Sequence, residues 1–170
     1  MIKGNKAIVT GASRGIGFAI AKELVNAGCS VVITGRNEKT LKVAAKKIGK
    51  TAIPMVWNAS DIDLAAAKIN EAAEILGGLD IVVNNAGIFS FCDILSTPVE
   101  RIERVIYLHD ITTTKTCRLY AADMIGRGGG RILNMSSYSI WMPYPGLSLY
   151  SASKAYLKSF SVAFSKEVEE

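Results

Sequence analysis

Short runs of β-branched and other apolar residues alternate along this chain with longer segments in which apolar residues return every three or four positions. The short runs predict five strands, at residues 6–10, 30–34, 51–57, 79–83 and 131–135. The longer segments predict five helices, at residues 15–27, 37–48, 61–76, about 99–125, and 149–170. Strands and helices therefore alternate from the first element to the last.

The strand-forming runs are apolar at almost every position, which is typical of parallel strands that are covered on both faces. Right-handed crossovers between such strands produce a doubly wound, Rossmann-like α/β fold. With five readable strands, the nucleotide-binding version of this fold has the strand order 3-2-1-4-5. Pro54 removes a backbone donor from the third run, so we expect that strand at an edge of the sheet.

The composition is that of an ordinary globular domain, because 49% of the 170 residues are hydrophobic and 21% are charged. A chain of this length corresponds to a single domain, residues 1–170. No apolar run approaches the roughly 18 residues of a membrane span, and the N-terminal apolar stretch is too short for a secretory signal. We therefore expect a cytoplasmic protein without a membrane span.

The formal net charge of +5 indicates either an anionic partner, such as nucleic acid or a phosphorylated cofactor, or only a mildly basic surface. The basic residues are scattered along the chain. The densest group fits one face of a predicted helix and consists of Lys42, Lys46, Lys47 and Lys50. We therefore expect no binding to nucleic acid.

The three cysteines, Cys29, Cys92 and Cys117, are odd in number, widely spaced and without any CxxC pair. This pattern argues against a disulfide framework and against a zinc site, so we expect no bound metal. It favours small, buried apolar side chains in a reducing cytosol.

A glycine-rich turn with the sequence TGASRGIG occupies residues 10–17, between the first predicted strand and its helix. Glycines there allow a tight turn and a close approach of the backbone to a diphosphate, and the helix N-terminus adds N–H donors. The alternative is a tight strand–helix turn without a ligand. The candidate cofactor contacts in this turn are Gly11, Ser13, Arg14, Gly15, Ile16 and Gly17.

Further motifs follow this turn along the chain. They are NNAG at residues 84–87, NMSS at residues 134–137, and a YxxxK pair formed by Tyr150 and Lys154. Together with the TGxxxGxG spacing and the order of elements, they resemble the short-chain dehydrogenase/reductase family over essentially the whole chain. The resemblance implies a nicotinamide dinucleotide as cofactor and hydride transfer between a carbonyl and an alcohol.

The end of the second predicted strand favours NADP(H) over NAD(H). An NAD enzyme of this fold usually has an acid there for the ribose 2′-hydroxyl, but residues 34–37 read TGRN. The guanidinium of Arg36 suits a 2′-phosphate, and Arg14 adds a second cation. Taken separately, each arginine is more often a solvated surface residue.

The family resemblance also implies contacts to the adenosine part of the cofactor. It places Asn58 at the adenine, where its side-chain oxygen can accept a hydrogen bond. It places Asn84, Ala86 and Gly87 beside the ribose. The alternatives are a turn or cap residue at Asn58 and simple bracing of the fourth strand's end.

The candidate reaction centre is built on Tyr150 and Lys154, which are four residues apart and share a helix face. An ammonium nearby stabilises a phenolate, so Tyr150 can exchange a proton with a carbonyl or carbinol oxygen. Ser137 ends a parallel strand, where its hydroxyl can hold the same oxygen. Lys154, by resemblance, also bonds the nicotinamide ribose. Without a cofactor, the pair would be ordinary surface residues.

One position departs from the family pattern. The resemblance places His109, the single histidine of the chain, where the family has a catalytic asparagine in the long helix. An imidazole, with a reference pKa of about 6.5, can hydrogen-bond a water and sustain a proton relay. Alternatively, His109 is a buried, neutral histidine that only spaces the helix.

The loop between Ser137 and Tyr150 is large and apolar, with Trp141, Met142 and Tyr144 among its residues. Together with the aromatic residues that follow NNAG, it suits an apolar or acyl carbonyl substrate. Equally, the loop could pack on a partner subunit or on missing sequence.

By resemblance, the family continues beyond residue 170 with a sixth strand and a segment that covers the substrate. We therefore expect an incomplete fold, with the fifth strand as an open edge and an apolar patch on the last helix. Such surfaces favour self-association into a homo-oligomer.

These observations predict an NADP(H)-dependent oxidoreductase that interconverts a carbonyl and an alcohol. The alternative from another class is a non-catalytic NADP(H)-binding or interaction module, inactive through truncation. A sugar epimerase or dehydratase would carry the same Tyr/Lys pair, but the short chain, the TGxxxGxG spacing and the NNAG stretch count against it.

Overall fold

The computed structural model describes residues 6–61 and 63–169. Over these residues the strands are β1 (Lys6–Val9), β2 (Ser30–Gly35), β3 (Ala52–Val56), β4 (Ile81–Asn84) and β5 (Arg131–Asn134). The α-helices are α1 (Gly15–Asn26), α2 (Glu38–Ile48), α3 (Ala65–Leu76), α4 (Val99–Ile106), α5 (Thr113–Gly126) and α6 (Ser148–Glu167). A π-helical segment, Tyr107–Thr112, joins α4 to α5, and a 3-10 turn, Tyr138–Ile140, precedes α6.

The strands form one parallel sheet in the order β3-β2-β1-β4-β5. Val9 of β1 pairs with Ile33 of β2 on one side and with Val83 of β4 on the other. The predicted doubly wound fold and its strand order are confirmed. Pro54 lies in β3 at one edge of the sheet, as expected for a residue without a backbone donor.

Apolar side chains cover both faces of the sheet. Successive residues of a strand point to opposite faces, so Ala7 and Val9 pack toward α1 and α2, whereas Ile8 packs toward α3 and α5. Leu41 of α2 and Tyr120 of α5 are almost completely buried against these two faces. This double cover explains why the strands are apolar at nearly every position.

The structure refines several predicted boundaries. The helix predicted at 99–125 contains a π-helical segment, which apolar spacing alone does not reveal. The helix predicted at 61–76 begins at Ala65, after a turn that follows β3. Residue 62 of that prediction and residue 170 of the final helix lie outside the described residues.

Two further predictions concern the whole chain. Across residues 6–61 and 63–169, no helix combines the length and apolar character needed to cross a membrane. Within residues 6–61 and 63–169 the three cysteines form no disulfide, and Cys29 and Cys117 are buried.

Candidate active site

The glycine-rich turn lies at the carboxyl end of β1, where ligands of doubly wound sheets bind. Gly11 has a φ of +66°, and a Cβ atom there would lie 2.9 Å from the Cα of Ala86. Gly17 is buried, and a Cβ atom there would lie 2.8 Å from the Gly11 carbonyl oxygen. The turn therefore requires glycine both for its left-handed backbone and for the close approach of neighbouring chain segments.

The N-terminus of α1 presents free backbone donors. The N–H of Phe18 donates to the Arg14 carbonyl at 3.4 Å, so the N–H groups of residues 15–17 precede the first intrahelical bond of α1. The Arg14 side chain does not cap the helix, and Arg14, Gly15 and Ile16 are exposed. These donors, together with the positive end of the helix dipole, fit the diphosphate of a dinucleotide.

Asn85 fixes the shape of this turn from the side of β4. Its side-chain amide donates to the carbonyl oxygens of Thr10 and Gly11 at 2.9 and 3.2 Å. In return, the Thr10 hydroxyl oxygen accepts from the backbone N–H groups of Asn85 and Ala86, both at 3.0 Å. Sequence analysis did not assign these roles to Thr10 and Asn85, although both stand inside the two recognised motifs.

The ends of β1 and β2 bring the two predicted arginines to one side of the turn. The Ala12 N–H donates to the Thr34 carbonyl at 2.9 Å, and Gly35 lies against Ser13. Arg36 follows Gly35 directly and is exposed, as is Arg14. An adjoining groove of about 480 Å³ between α1 and α2 is lined by Arg14, by Lys47 of the basic helix face and by Lys39, which no sequence motif indicated.

Asn58 lies just beyond β3, at the same edge of the sheet. The N–H of the preceding Trp57 donates to the Gly35 carbonyl at 3.1 Å, which ties this segment to the end of β2. Asn58 is exposed, and its Oδ1 accepts from the Ser60 N–H at 3.3 Å. It is thus a turn residue whose amide remains accessible.

Asn84 is buried and braces the interior of the protein. Its Nδ2 donates to Asn134 Oδ1 at 2.8 Å and to the Cys117 sulfur at 3.5 Å, and its Oδ1 accepts from Thr116. These bonds occupy the amide, so the part of NNAG that lies at the site surface is Ala86 and Gly87.

Lys154 lies on α6 and reaches the end of β5. Its Nζ donates to the Met135 carbonyl at 2.7 Å, and the Ser136 hydroxyl donates to the Lys154 carbonyl at 2.8 Å. Lys154 is only 5% exposed, and this burial lowers the pKa of its ammonium to about 8, while the charge of Asp110 acts in the opposite direction. The buried cation is thus held against the strand end that carries Ser137.

Tyr150 lies one helical turn before Lys154 and is half-buried. The Lys154 Nζ is 5.9 Å from the centre of the Tyr150 ring. The ring also makes edge contacts with Phe89, at a centroid distance of 5.1 Å, and with His109, at 5.9 Å. The structure therefore brings the predicted tyrosine, lysine and histidine together.

Ser137 begins the 3-10 turn after β5. Its Oγ accepts from the Ser139 N–H at 3.1 Å and from the Ser139 hydroxyl at 3.0 Å. Because both bonds use its lone pairs, the Ser137 hydroxyl hydrogen remains available as a donor. Ser139 is a further residue that sequence analysis did not single out.

His109 lies in the π-helical segment and is buried. Its Nε2 accepts from the Ile88 N–H at 2.9 Å, so in the neutral ring Nδ1 carries the proton and donates to Ser153 Oγ at 2.8 Å. The Ser153 hydroxyl in turn donates to the Tyr150 carbonyl at 2.8 Å.

This environment keeps the imidazole of His109 neutral. Burial, reinforced by the positive charge of Lys154, lowers its pKa to about 3. Both ring nitrogens have protein partners, so the geometry favours the second interpretation of His109, a neutral ring that links the loop after NNAG to α6.

The apolar loop before α6 lies beside Tyr150 and is fastened at two points. The Cys92 N–H donates to the Gly146 carbonyl at 2.8 Å, and the Lys158 ammonium lies 3.6 Å from the centre of the Trp141 ring. Phe89 and Trp141 remain 66% and 65% exposed, which leaves apolar surface at Tyr150, where Phe89 lies, and on the loop before α6.

Comparison with known proteins gives a consistent result. A family profile described as short chain dehydrogenase matches residues 5–170. The very-long-chain 3-oxoacyl-CoA reductase of Pyricularia oryzae is 35% identical to this chain, over 98% of the chain and 52% of that relative. The chain thus spans about half the length of this curated relative.

Solved structures agree in fold. A metagenomic short-chain oxidoreductase in complex with NADP superposes with a TM-score of 0.92 at 31% identity, over 99% of this chain and 78% of that one. A short-chain dehydrogenase from Streptomyces avermitilis superposes with a TM-score of 0.91 at 29% identity, over 99% of this chain and 62% of that one.

Proposed function

This chain belongs to the short-chain dehydrogenase/reductase family, and on that premise we propose that it interconverts a carbonyl and an alcohol with NADP(H), with Tyr150 as acid and base. The observation that carries the proposal is the convergence of Tyr150, the buried ammonium of Lys154 and the strand end that carries Ser137.

The proton chemistry follows from these three side chains. The Lys154 ammonium lies 5.9 Å from the centre of the Tyr150 ring, and the Tyr150 hydroxyl gives its proton to a carbonyl oxygen or accepts one from a carbinol. The free Ser137 hydroxyl hydrogen donates to the same substrate oxygen. The bound dinucleotide supplies the hydride. His109 belongs to this site as the ring that fixes Tyr150 and the loop after NNAG.

We propose that NADP(H) is preferred over NAD(H). The support is the absence of an acid at residues 34–37 and the exposed guanidinium groups of Arg14 and Arg36 beside the turn, joined by Lys39. One structural neighbour holds NADP. Ala86 and Gly87 then lie beside the ribose and Asn58 lies near the adenine, while Asn84 supports them from within.

The substrate is proposed to be an apolar carbonyl compound, with an acyl chain as the leading candidate. The exposed aromatic ring of Phe89, in contact with Tyr150, and the exposed Trp141 on the loop before α6 support an apolar ligand. The name of the Pyricularia oryzae relative describes a 3-oxoacyl thioester reductase.

The protein is also proposed to form a homo-oligomer in the cytoplasm. The support for self-association is a row of stacked rings along one face of α6, formed by Tyr156, Phe160 and Phe164, of which Tyr156 is 41% exposed. The cytoplasmic location still rests on the sequence alone.

Calorimetric titration with NADPH and with NADH tests the proposal. We expect tighter binding of NADPH, and Arg36→Ala to weaken it by roughly ten- to a hundredfold, because a charged hydrogen bond is lost, with little effect on NADH. Arg104→Ala, which removes a similar charge from the exposed side of α4, is the matched control. Equal affinity for both dinucleotides would contradict the preference, and binding without turnover of any carbonyl substrate would favour a non-catalytic module.

A further inference from the structure

The buried ammonium of Lys154 has few hydrogen-bond acceptors for a cation that is shielded from water. An ammonium carries three donors, and among the described residues the acceptor of a Lys154 hydrogen bond is the Met135 carbonyl. A carbonyl dipole offsets the cost of burying a cation only in part, so an opposite charge nearby is needed to keep it protonated. His109 cannot help, because its ring is neutral.

Asp110 supplies a carboxylate on the π-helical segment that packs against α6. It lies in the π-helical segment next to His109, and this segment packs against α6, where His109 bonds the residue that precedes Lys154. Asp110 is half-buried, and its Oδ1 is enclosed without a hydrogen-bond partner among the described residues. An enclosed carboxylate oxygen without a donor is costly and has no evident structural purpose.

The charges of Asp110 and Lys154 act on each other. Burial raises the pKa of Asp110 to about 6, and the Lys154 ammonium opposes this rise. Lys154 is the one charged group that acts on Asp110 among the titratable groups of the segment and of the three helices packed against it. The others are Glu100, Arg101, Glu103, Arg104, Tyr107, His109, Lys115, Cys117, Arg118, Tyr120, Asp123, Tyr150, Tyr156, Lys158, Lys166 and Glu167.

We propose that Asp110 is the counter-charge of Lys154: its carboxylate keeps the buried ammonium protonated and makes Asp110 a positioning residue for the Tyr150–Lys154 pair. The catalytic meaning of this assignment rests on the proposed function, but the electrostatic link itself does not. Between about pH 6 and pH 8, the two groups are charged together, and the pair is then fully formed.

The test is a direct titration of Lys154 in the whole chain. Lysine labelled with carbon-13 at Cε reports the loss of the ammonium proton by NMR, and the Lys154 resonance is assigned by its absence in Lys154→Arg. We expect Asp110→Asn to lower the pKa of Lys154 by about one unit, because an opposite charge is removed. Glu103→Gln, an exposed acid on α4, is the matched control and should leave the resonance unchanged.

Two further measurements separate this role from a structural one. Asp110→Asn should melt at a lower temperature than the wild type near pH 7.5, because it leaves the buried Lys154 ammonium without its opposite charge, and this loss should disappear near pH 10, where the ammonium is deprotonated. Asp110→Glu should restore the Lys154 titration. In an active enzyme, Asp110→Asn should also move the alkaline limb of kcat/KM to lower pH.

An unchanged Lys154 titration in Asp110→Asn, or an equal shift in Glu103→Gln, would overturn the inference. A shifted titration in a chain without turnover would instead count against the proposed function and leave the electrostatic link standing.

Discussion

The two parts of the candidate site, the glycine-rich turn and the Tyr150–Lys154 pair on α6, are packed differently into the protein. Around the glycine-rich turn, β1, β2 and β4 are almost wholly buried and lie between helices that cover both faces. At the other end, Leu133 of β5 is 49% exposed, and the long helix α6 buries only Ser151, Ser153, Lys154 and Leu157.

At the glycine-rich turn, the residues that stabilise the fold differ from those that bind the ligand, whereas at α6 the same residues do both. The glycine-rich turn is held by backbone packing and by the Asn85 amide, so its ligand-binding N–H groups are not needed to hold the turn in shape. At α6, Tyr156 and Ser161 bond Thr114 and Asn134, but the hydrogen bonds at the N-terminal half of the helix are made by Lys154, Ser153 and His109 at the candidate site. Substitutions there should disturb folding and activity together.

Tyr150→Phe should have the largest effect on activity, and it should separate catalysis at α6 from cofactor binding at the glycine-rich turn. Loss of the phenolic proton should reduce kcat by roughly 10²- to 10⁴-fold, the usual contribution of a general acid or base. NADPH affinity, which depends on the glycine-rich turn, should change little. Steady-state kinetics and calorimetry on the same preparation measure both. The control is Tyr138→Phe, which removes the same hydroxyl from an exposed tyrosine of the 3-10 turn. A comparable loss of kcat in this variant would refute the assignment of Tyr150 as acid and base.

Acid should destabilise the protein through His109. Burial depresses the folded pKa of His109 to about 3, so its stabilising contribution is present above the unfolded value of 6.5 and is lost as pH falls toward the folded value. Between about pH 7 and pH 4.5 this should remove about 2 to 3 kcal/mol from the free energy of unfolding. Urea denaturation at both pH values measures it. His109→Asn should show a smaller difference; an identical one would mean that His109 does not titrate as described.

Gly11→Ala should lower the free energy of unfolding through the glycine-rich turn, which does not depend on the reactive side chains. The left-handed backbone costs about 1 to 2 kcal/mol for alanine, and the contact with Ala86 adds about 1 kcal/mol or more. Gly15→Ala has a similar φ but meets no atom within 4 Å, so it isolates the backbone cost. Equal losses of stability in the two variants would show that the approach of Ala86 is unimportant.

Lys158→Ala should have the smallest effect. It removes the cation–π contact with Trp141, which is worth about 0.5 to 1 kcal/mol at an exposed site. A small fall in stability with a larger rise in the substrate KM would indicate that the contact orders the apolar loop. Lys158→Arg, which preserves the charge over the ring, should behave like the wild type.

Much of the fold followed from the sequence because buried parallel strands leave a simple pattern. The continuous apolar runs located all five strands, and the strand order was confirmed. The glycines of the turn were recognisable because a positive φ at Gly11 and Gly15 demands that residue type.

The contacts within the site were harder to predict because they join residues far apart in the chain. Neither the bond between His109 and Ser153 nor the clamp between Asn85 and Thr10 leaves a local pattern. The π-helical segment also has no sequence pattern that predicts it, since it changes the hydrogen-bond spacing without altering the apolar positions around it. As a result, Asp110 could not be identified before the structure placed it beside α6.

The π-helical segment also bears on how this sequence can change in length. A π-helical turn closes over one residue more than an α-helical turn. Loss of a single codon within residues 107–112 would therefore remove the extra residue and leave a regular α-helical turn, with the helix on either side kept in register. Tyr120, now 1% exposed, would keep its place in the core. The same deletion within α5 would turn the residues that follow by about 100°, so the long helix should tolerate a shortening by one residue better in the π-helical segment than beyond it.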